Sequence, residues 1–131
     1  MNKILSKEVS YPIAKLLKEK RYDELCDGYY HHTSVITERS SVQCCNSRIA
    51  DSCCTAPTIG EVVDWLIDKY EIYIISKVIK WNYEENSIRF NFEVCKLVDN
   101  NPSEEKKTPF VFDMQKEAYE EAIKYVLEYL I

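Results

Sequence analysis

Cysteine and histidine carry the most specific chemistry that this chain offers. It holds six cysteines and two histidines. Four cysteines form two vicinal pairs, Cys44-Cys45 and Cys53-Cys54, with His31-His32 upstream. Thiolates and imidazoles are the usual ligands of zinc, but structural zinc sites draw them from positions about two to four residues apart, so that a turn aims both at one ion. Adjacent residues on a strand point to opposite faces. One strand therefore offers a metal only one member of each pair, and a site made of His31, His32, Cys44 and Cys53 requires the segments to pair. The plainer reading makes one cysteine of each pair a small core residue and the other a surface thiol. Cys26 and Cys95 stand alone and read as structural. A Cys–His nucleophilic pair, for instance Cys53 with His32, is arithmetically open, yet no cysteine-enzyme motif surrounds these residues.

Other residue types give weaker signals. Asp64 and Asp68 share a helix face at i, i+4, where a divalent ion could bind, although a solvated face explains them as well. Tyr29, Tyr30, Trp81 and Tyr83 fall in expected strands. Aromatics on a sheet can stack single-stranded bases when a basic groove tracks the backbone, and Lys77, Lys80 and Arg89 lie close in sequence. The net charge of -5 opposes that use, because affinity for nucleic acid rests on cationic contacts. Nucleic acid is thus not the expected partner. Tyrosine is also enriched at protein interfaces, and a protein-binding surface accounts for the same four aromatics. The two glycines, Gly28 and Gly60, stand alone, which excludes glycine-rich phosphate loops. No cofactor is expected.

Elements must position these residues. At 131 residues, the chain fits one domain over residues 1–131. Apolar residues at 46% are enough to build a core. Ser10 and Pro12 open a helix over Tyr11–Lys20, with Ile13, Leu16 and Leu17 on one face. Tyr29–Thr37 reads as a strand. Strands are expected around Ser41–Cys45 and Arg48–Cys53, with a turn at Asn46–Ser47. Thr58 and Glu61 form a capping box, after which Ile59, Val62, Val63, Leu66 and Tyr70 mark a helix to Lys69. Residues 71–81 read as a central strand, and alternation from Ile88 to Val98 as its antiparallel partner. Asp99–Pro109 reads as an exposed loop and Phe110–Phe112 as a short strand. Asp113 is placed to cap a final helix bearing Ala118, Ala122, Val126 and Tyr129. The expected fold class is α+β: a small antiparallel sheet with about three helices packed mainly on one face.

Neither a secretory leader nor a membrane span is legible, so a cytoplasmic protein with reduced thiols and no membrane partner is expected. Residues 1–20 carry a net charge of +3 and residues 113–131 a net charge of −3. Terminal helices that lie close and complement one another would account for both.

Three segments together resemble a known family. They are the run from Ser10 to Lys20 with Asp23-Glu24, then Ala56-Pro57-Thr58 with Trp65-Leu66, and Glu117-Ala118-Tyr119-Glu120-Glu121-Ala122-Ile123-Lys124. The family comprises small uncharacterised proteins encoded by phages and prophages of gut Bacteroides and their relatives. The resemblance spans most of the chain and implies no catalytic residues. Arg21 stands where members often have glycine, and Val42–Cys54 is richer in cysteine than the family pattern. The resulting expectation is a non-enzymatic protein-interaction module with an unidentified protein partner, one version being a modulator of a host or defence protein. The alternatives are a small-ligand or zinc-binding protein using segment 31–54, or a weak single-strand nucleic-acid binder. An exposed edge strand in a short sheet could also support a homodimer.

Overall fold

The computed structural model of the chain describes residues 3–31, 35–37, 43–82, 87–107 and 112–131. The fold is α+β, and the described residues form two three-stranded antiparallel sheets where one was expected. The chain divides into two compact units, Met1–Glu61 with Leu127–Ile131, and Val62–Val126.

In the first unit, α1 (Tyr11–Glu19) starts after Ser10, whose extended backbone puts it in the N-cap position, with Pro12 in the first turn. Proline costs nothing there because its missing N–H would have no helical partner. Ile13, Ala14 and Leu17 are buried. The helix stops through a paired closure: the Arg21 N–H donates to the Lys18 carbonyl at 3.0 Å and the Tyr22 N–H to the Leu17 carbonyl at 2.9 Å. This Schellman geometry needs a left-handed residue, a position glycine usually fills. Arg21 fills it at φ 65. Replacing Arg21 by glycine is therefore expected to stabilise the protein by about 0.5–1 kcal/mol, readable as a higher denaturation midpoint.

The expected strand Tyr29–Thr37 is two short strands, β1 (Tyr29–His31) and β2 (Val35–Thr37), folded back so that Tyr29 faces Thr37 and His31 faces Val35. A hairpin gives these backbone groups partners that a lone strand lacks. The strand β3 (Cys54–Thr55) pairs with the other side of β1. The chain before it differs from expectation. Cys44 makes an isolated bridge with Cys26, while residues 41–42 of the strand expected there lie outside the described residues. The turn expected at Asn46–Ser47 forms as part of a 3-10 turn, Asn46–Arg48, but no strand follows over Arg48–Cys53, where the Cys53 N–H turns back to the Ala50 carbonyl at 2.9 Å.

The start of α2 (Ile59–Tyr70) is fastened from both sides. Thr58 and Glu61 make the anticipated reciprocal bonds, Thr58 N–H to Glu61 Oε1 at 2.9 Å and Glu61 N–H to Thr58 Oγ1 at 3.2 Å. Thr58→Ala is expected to cost about 1 kcal/mol, measured by chemical denaturation. The backbone of Lys7 accepts from Ile59 at 2.8 Å, and Val9 donates to Pro57 at 2.9 Å. This brings the Leu5 carbonyl to 3.0 Å from where a side chain at residue 60 would begin, so Gly60 is required by close approach.

α2 continues into the second unit. There β4 (Ile72–Asn82), β5 (Ser87–Val98) and β6 (Asn101–Lys107) form a meander in the order β4-β5-β6. Ile72, Ile74, Phe92 and Val94 are buried on one face, and α3 (Gln115–Tyr125) lies against β4 and β5 with Ala118, Tyr119, Ala122 and Ile123 buried. The segment read as an exposed loop supplies β6. Asp99 and Asn100 both take positive φ, at 52 and 65, which is the two-residue turn favoured between antiparallel strands. Phe112 extends the same line by bridging Phe90, and its ring stacks 6.2 Å from that of Phe92. Residues 108–111 lie outside the described residues. Asp113 does not cap α3. Met114 holds the N-cap position, and the Asp113 carboxylate pairs with Arg89 at 2.8 Å. No helix among the described residues is long and apolar enough to cross a membrane.

Candidate functional site

The cysteine-bearing segment is organised by hydrogen bonds from distant side chains. Asn46 is buried and uses both ends of its amide: Nδ2 donates to the Tyr22 carbonyl at 2.6 Å, and Oδ1 accepts from the Thr55 N–H at 2.9 Å. Asp23 accepts from the Ser47 N–H at 2.7 Å, and that bond holds its carboxyl below the usual carboxylate range. The Lys18 ammonium reaches from α1 to the carbonyls of Ala50 (3.0 Å), Asp51 (3.5 Å) and Cys53. Converging carbonyls suit a cation, and lysine supplies three donors to meet them. Lys18→Met is expected to cost about 1–2 kcal/mol and to accelerate amide exchange over residues 50–53.

Beside Lys18 lies a cleft of about 530 Å³. Tyr11, Lys15, Lys18 and Glu19 line it from α1, and Asp51, Ser52, Cys53 and Cys54 from the facing loop. Burial pushes the Cys54 thiol up despite the opposing pull of Lys18 and Lys15. Burial likewise raises Cys44, and raises Cys26 to about 12. A nucleophilic cysteine needs the opposite shift.

The proposed metal ligands are not assembled by the described residues. His31 ends β1, Cys44 pairs with Cys26, and Cys53 lines the α1 cleft. Among the described residues no three histidine, cysteine or acidic side chains could together hold a metal ion. His32 lies outside the described residues. Asp64 and Asp68 are exposed on α2.

The aromatic set is divided between the two units. Tyr29 and Tyr30 belong to the first unit's sheet, and Trp81 lies in β4 of the second. Tyr30 is buried, its hydroxyl donates to the Val9 carbonyl at 2.7 Å, and its ring meets Tyr11 edge-on at 5.5 Å. That ring offers no platform to a base or a partner. Tyr83 lies outside the described residues.

A feature of the second unit was not singled out from the sequence. β4 has a paired neighbour on one side only among the described residues. It is eleven residues long, and the apolar side chains of the β4–β5 hairpin stay uncovered at one end: Val78 is 66% exposed and Ile88 53%. Ile88 lies diagonally across from Val78 on the same face, since Val78 pairs with Phe90 and Lys80 with Ile88. Ile75 is 44% exposed on the other face. The Lys77–Glu93 pair, at 2.8 Å, is the polar neighbour of this stretch. Residues 71–81 were expected as a central strand, but among the described residues β4 is paired on one side only, and Ile75 and Val78 stay exposed.

Comparison of the chain with protein-family models, with curated proteins and with solved structures gives no match.

Proposed function

We propose that the chain is a non-enzymatic protein-interaction module whose docking element is the edge strand β4. The observation that carries this reading is the long, largely apolar β4, paired on one side only among the described residues, with Val78 and Ile88 exposed. Edge strands present a row of backbone donors and acceptors, and native proteins normally blunt them with charge, bulges or cover. β4 has a register shift between Lys80 and Asn82 at its far end only. A partner strand added to this edge gains backbone hydrogen bonds, and its alternate side chains meet the apolar end of the hairpin. The raised thiols support the non-enzymatic part. A phage or prophage setting, with a host or defence protein as target, rests on sequence resemblance alone.

The test compares immobilised protein with its Val78→Glu/Ile88→Lys variant in bacterial lysate. Both positions are exposed, so the thermal midpoint should hold. The reading expects proteins retained by the parent chain to be lost from the variant. Identical retention by both, or none by either, contradicts it.

A second reading has its own observation. The α1 cleft has the size of a small-molecule site, and residues of the cysteine segment line it. Its two lysines and two carboxylates would suit a small zwitterion. Saturable binding of amino acids or similar zwitterions, abolished by Lys15→Glu, would favour it.

A further inference from the structure

Cys26 and Cys44 face one another across an isolated antiparallel bridge. They exchange both backbone bonds, Cys26 N–H to the Cys44 carbonyl at 2.7 Å and Cys44 N–H to the Cys26 carbonyl at 2.9 Å. Residues so paired hold their Cα atoms about 5.5 Å apart with side chains on the same face. Disulfides favour Cα separations of about 5.5–6 Å. The Cys44 sulfur already leans over its neighbour, with Sγ 3.7 Å from the Cys26 carbonyl oxygen. Both thiols are free, and each donates to a backbone carbonyl, Cys26 to Glu24 at 3.5 Å. The backbone pairing therefore sets the two residues at a spacing that a disulfide accepts.

We infer that Cys26 and Cys44 are a cross-strand thiol pair built to close as a disulfide when the protein meets a low-molecular-weight disulfide oxidant. Cys44 is half-buried and Cys26 fully buried, which sets the order of events. The Cys44 thiolate attacks the oxidant's sulfur, forming a mixed disulfide and expelling one thiolate. The Cys26 thiolate then attacks Cys44 Sγ, forms the intramolecular bond and expels the second thiolate. Two protons leave the protein, and two electrons reduce the oxidant to two thiols. The bond closes a loop that holds β1 and β2. The neighbouring cysteines are less well placed: Cys45 is adjacent to Cys44 in sequence, and Cys53 and Cys54 belong to the α1 cleft. Because burial disfavours both thiolates, and Cys26 more strongly than Cys44, closure is slow at neutral pH and accelerates as pH rises.

The experiment treats the folded, full-length protein with oxidised glutathione at mildly alkaline pH and maps disulfides by peptide mass spectrometry. The expected result is an intramolecular product lighter by two hydrogens, linked Cys26–Cys44, with a raised thermal midpoint that reductant reverses. Cys45→Ser should leave the link unchanged. A persistent glutathione adduct at Cys44, a vicinal Cys44–Cys45 or Cys53–Cys54 bond, or an intermolecular product as the main species would overturn the inference. The parent-chain map decides the matter even if a cysteine variant folds poorly.

Discussion

Raising the pH from 9 towards 12 destabilises the reduced protein by roughly 4 kcal/mol through Cys26 alone. Its thiol releases a proton near 9.0 in the unfolded chain but only at about 12 in the folded one, chiefly because burial excludes water from the thiolate. Between those values the unfolded chain binds fewer protons, so stability falls as pH rises, by about 1.4 kcal/mol per unit. Below the unfolded value the contribution is intact. Tyr22 adds a second loss that starts near pH 10, since burial first and the neighbouring Cys26 next raise its phenol above the ordinary range. Urea denaturation in reducing buffer from pH 7 to 11 should show this steepening slope. Cys26→Ala removes the first titration, so its stability should fall less between pH 9 and 10 than that of the parent chain. Parallel slopes would assign the alkaline loss elsewhere.

Asn46→Ala should lower stability by about 3 kcal/mol. Removal of the amide takes away bonds at 2.6 and 2.9 Å and strands the Tyr22 carbonyl and the buried Thr55 N–H. An unpartnered buried backbone group costs about 1–3 kcal/mol. Asn46→Asp separates the two bonds. A carboxylate still accepts from Thr55 but cannot donate to Tyr22, and it places negative charge against a carbonyl. It should therefore be at least as damaging as alanine near neutral pH. Amide exchange over residues 43–55 should rise in both variants before exchange in β4 and β5 does, because Asn46 ties the cysteine segment and not the meander. Equal, small effects of both substitutions would mean that the segment is held by other contacts.

These two residues also mark where sequence reading stopped. The Thr58–Glu61 box, the apolar stripe of α2 and the alternation of β5 are local patterns, and each forms the anticipated element. Segment 43–55 has no such period because its restraints come from Tyr22, Asp23 and Lys18, more than twenty residues away in sequence. β6 was hidden differently. Asn101–Lys107 is polar on both faces, as an edge strand can be, and backbone bonds to β5 define it. Its legible signal was Asp99-Asn100, two residues that tolerate positive φ between strands. The candidate site was less legible than the fold. Tyr30 suggested a surface because tyrosine favours interfaces, yet its hydroxyl found the Val9 carbonyl and its ring went inside. Exposure of Val78 and Ile88 depends on how far α3 covers the sheet, which composition does not encode.

On the proposed function, β4 and the uncovered end of its hairpin meet a protein partner. Site-specific photo-crosslinking tests it most directly, with a photoreactive side chain at Val78 and, as control, at the exposed Asp68 of α2. One discrete heavier species is expected from Val78 in lysate, competed away by unlabelled parent protein, and none from Asp68. Equal diffuse labelling from both positions, or no adduct from Val78, would contradict it.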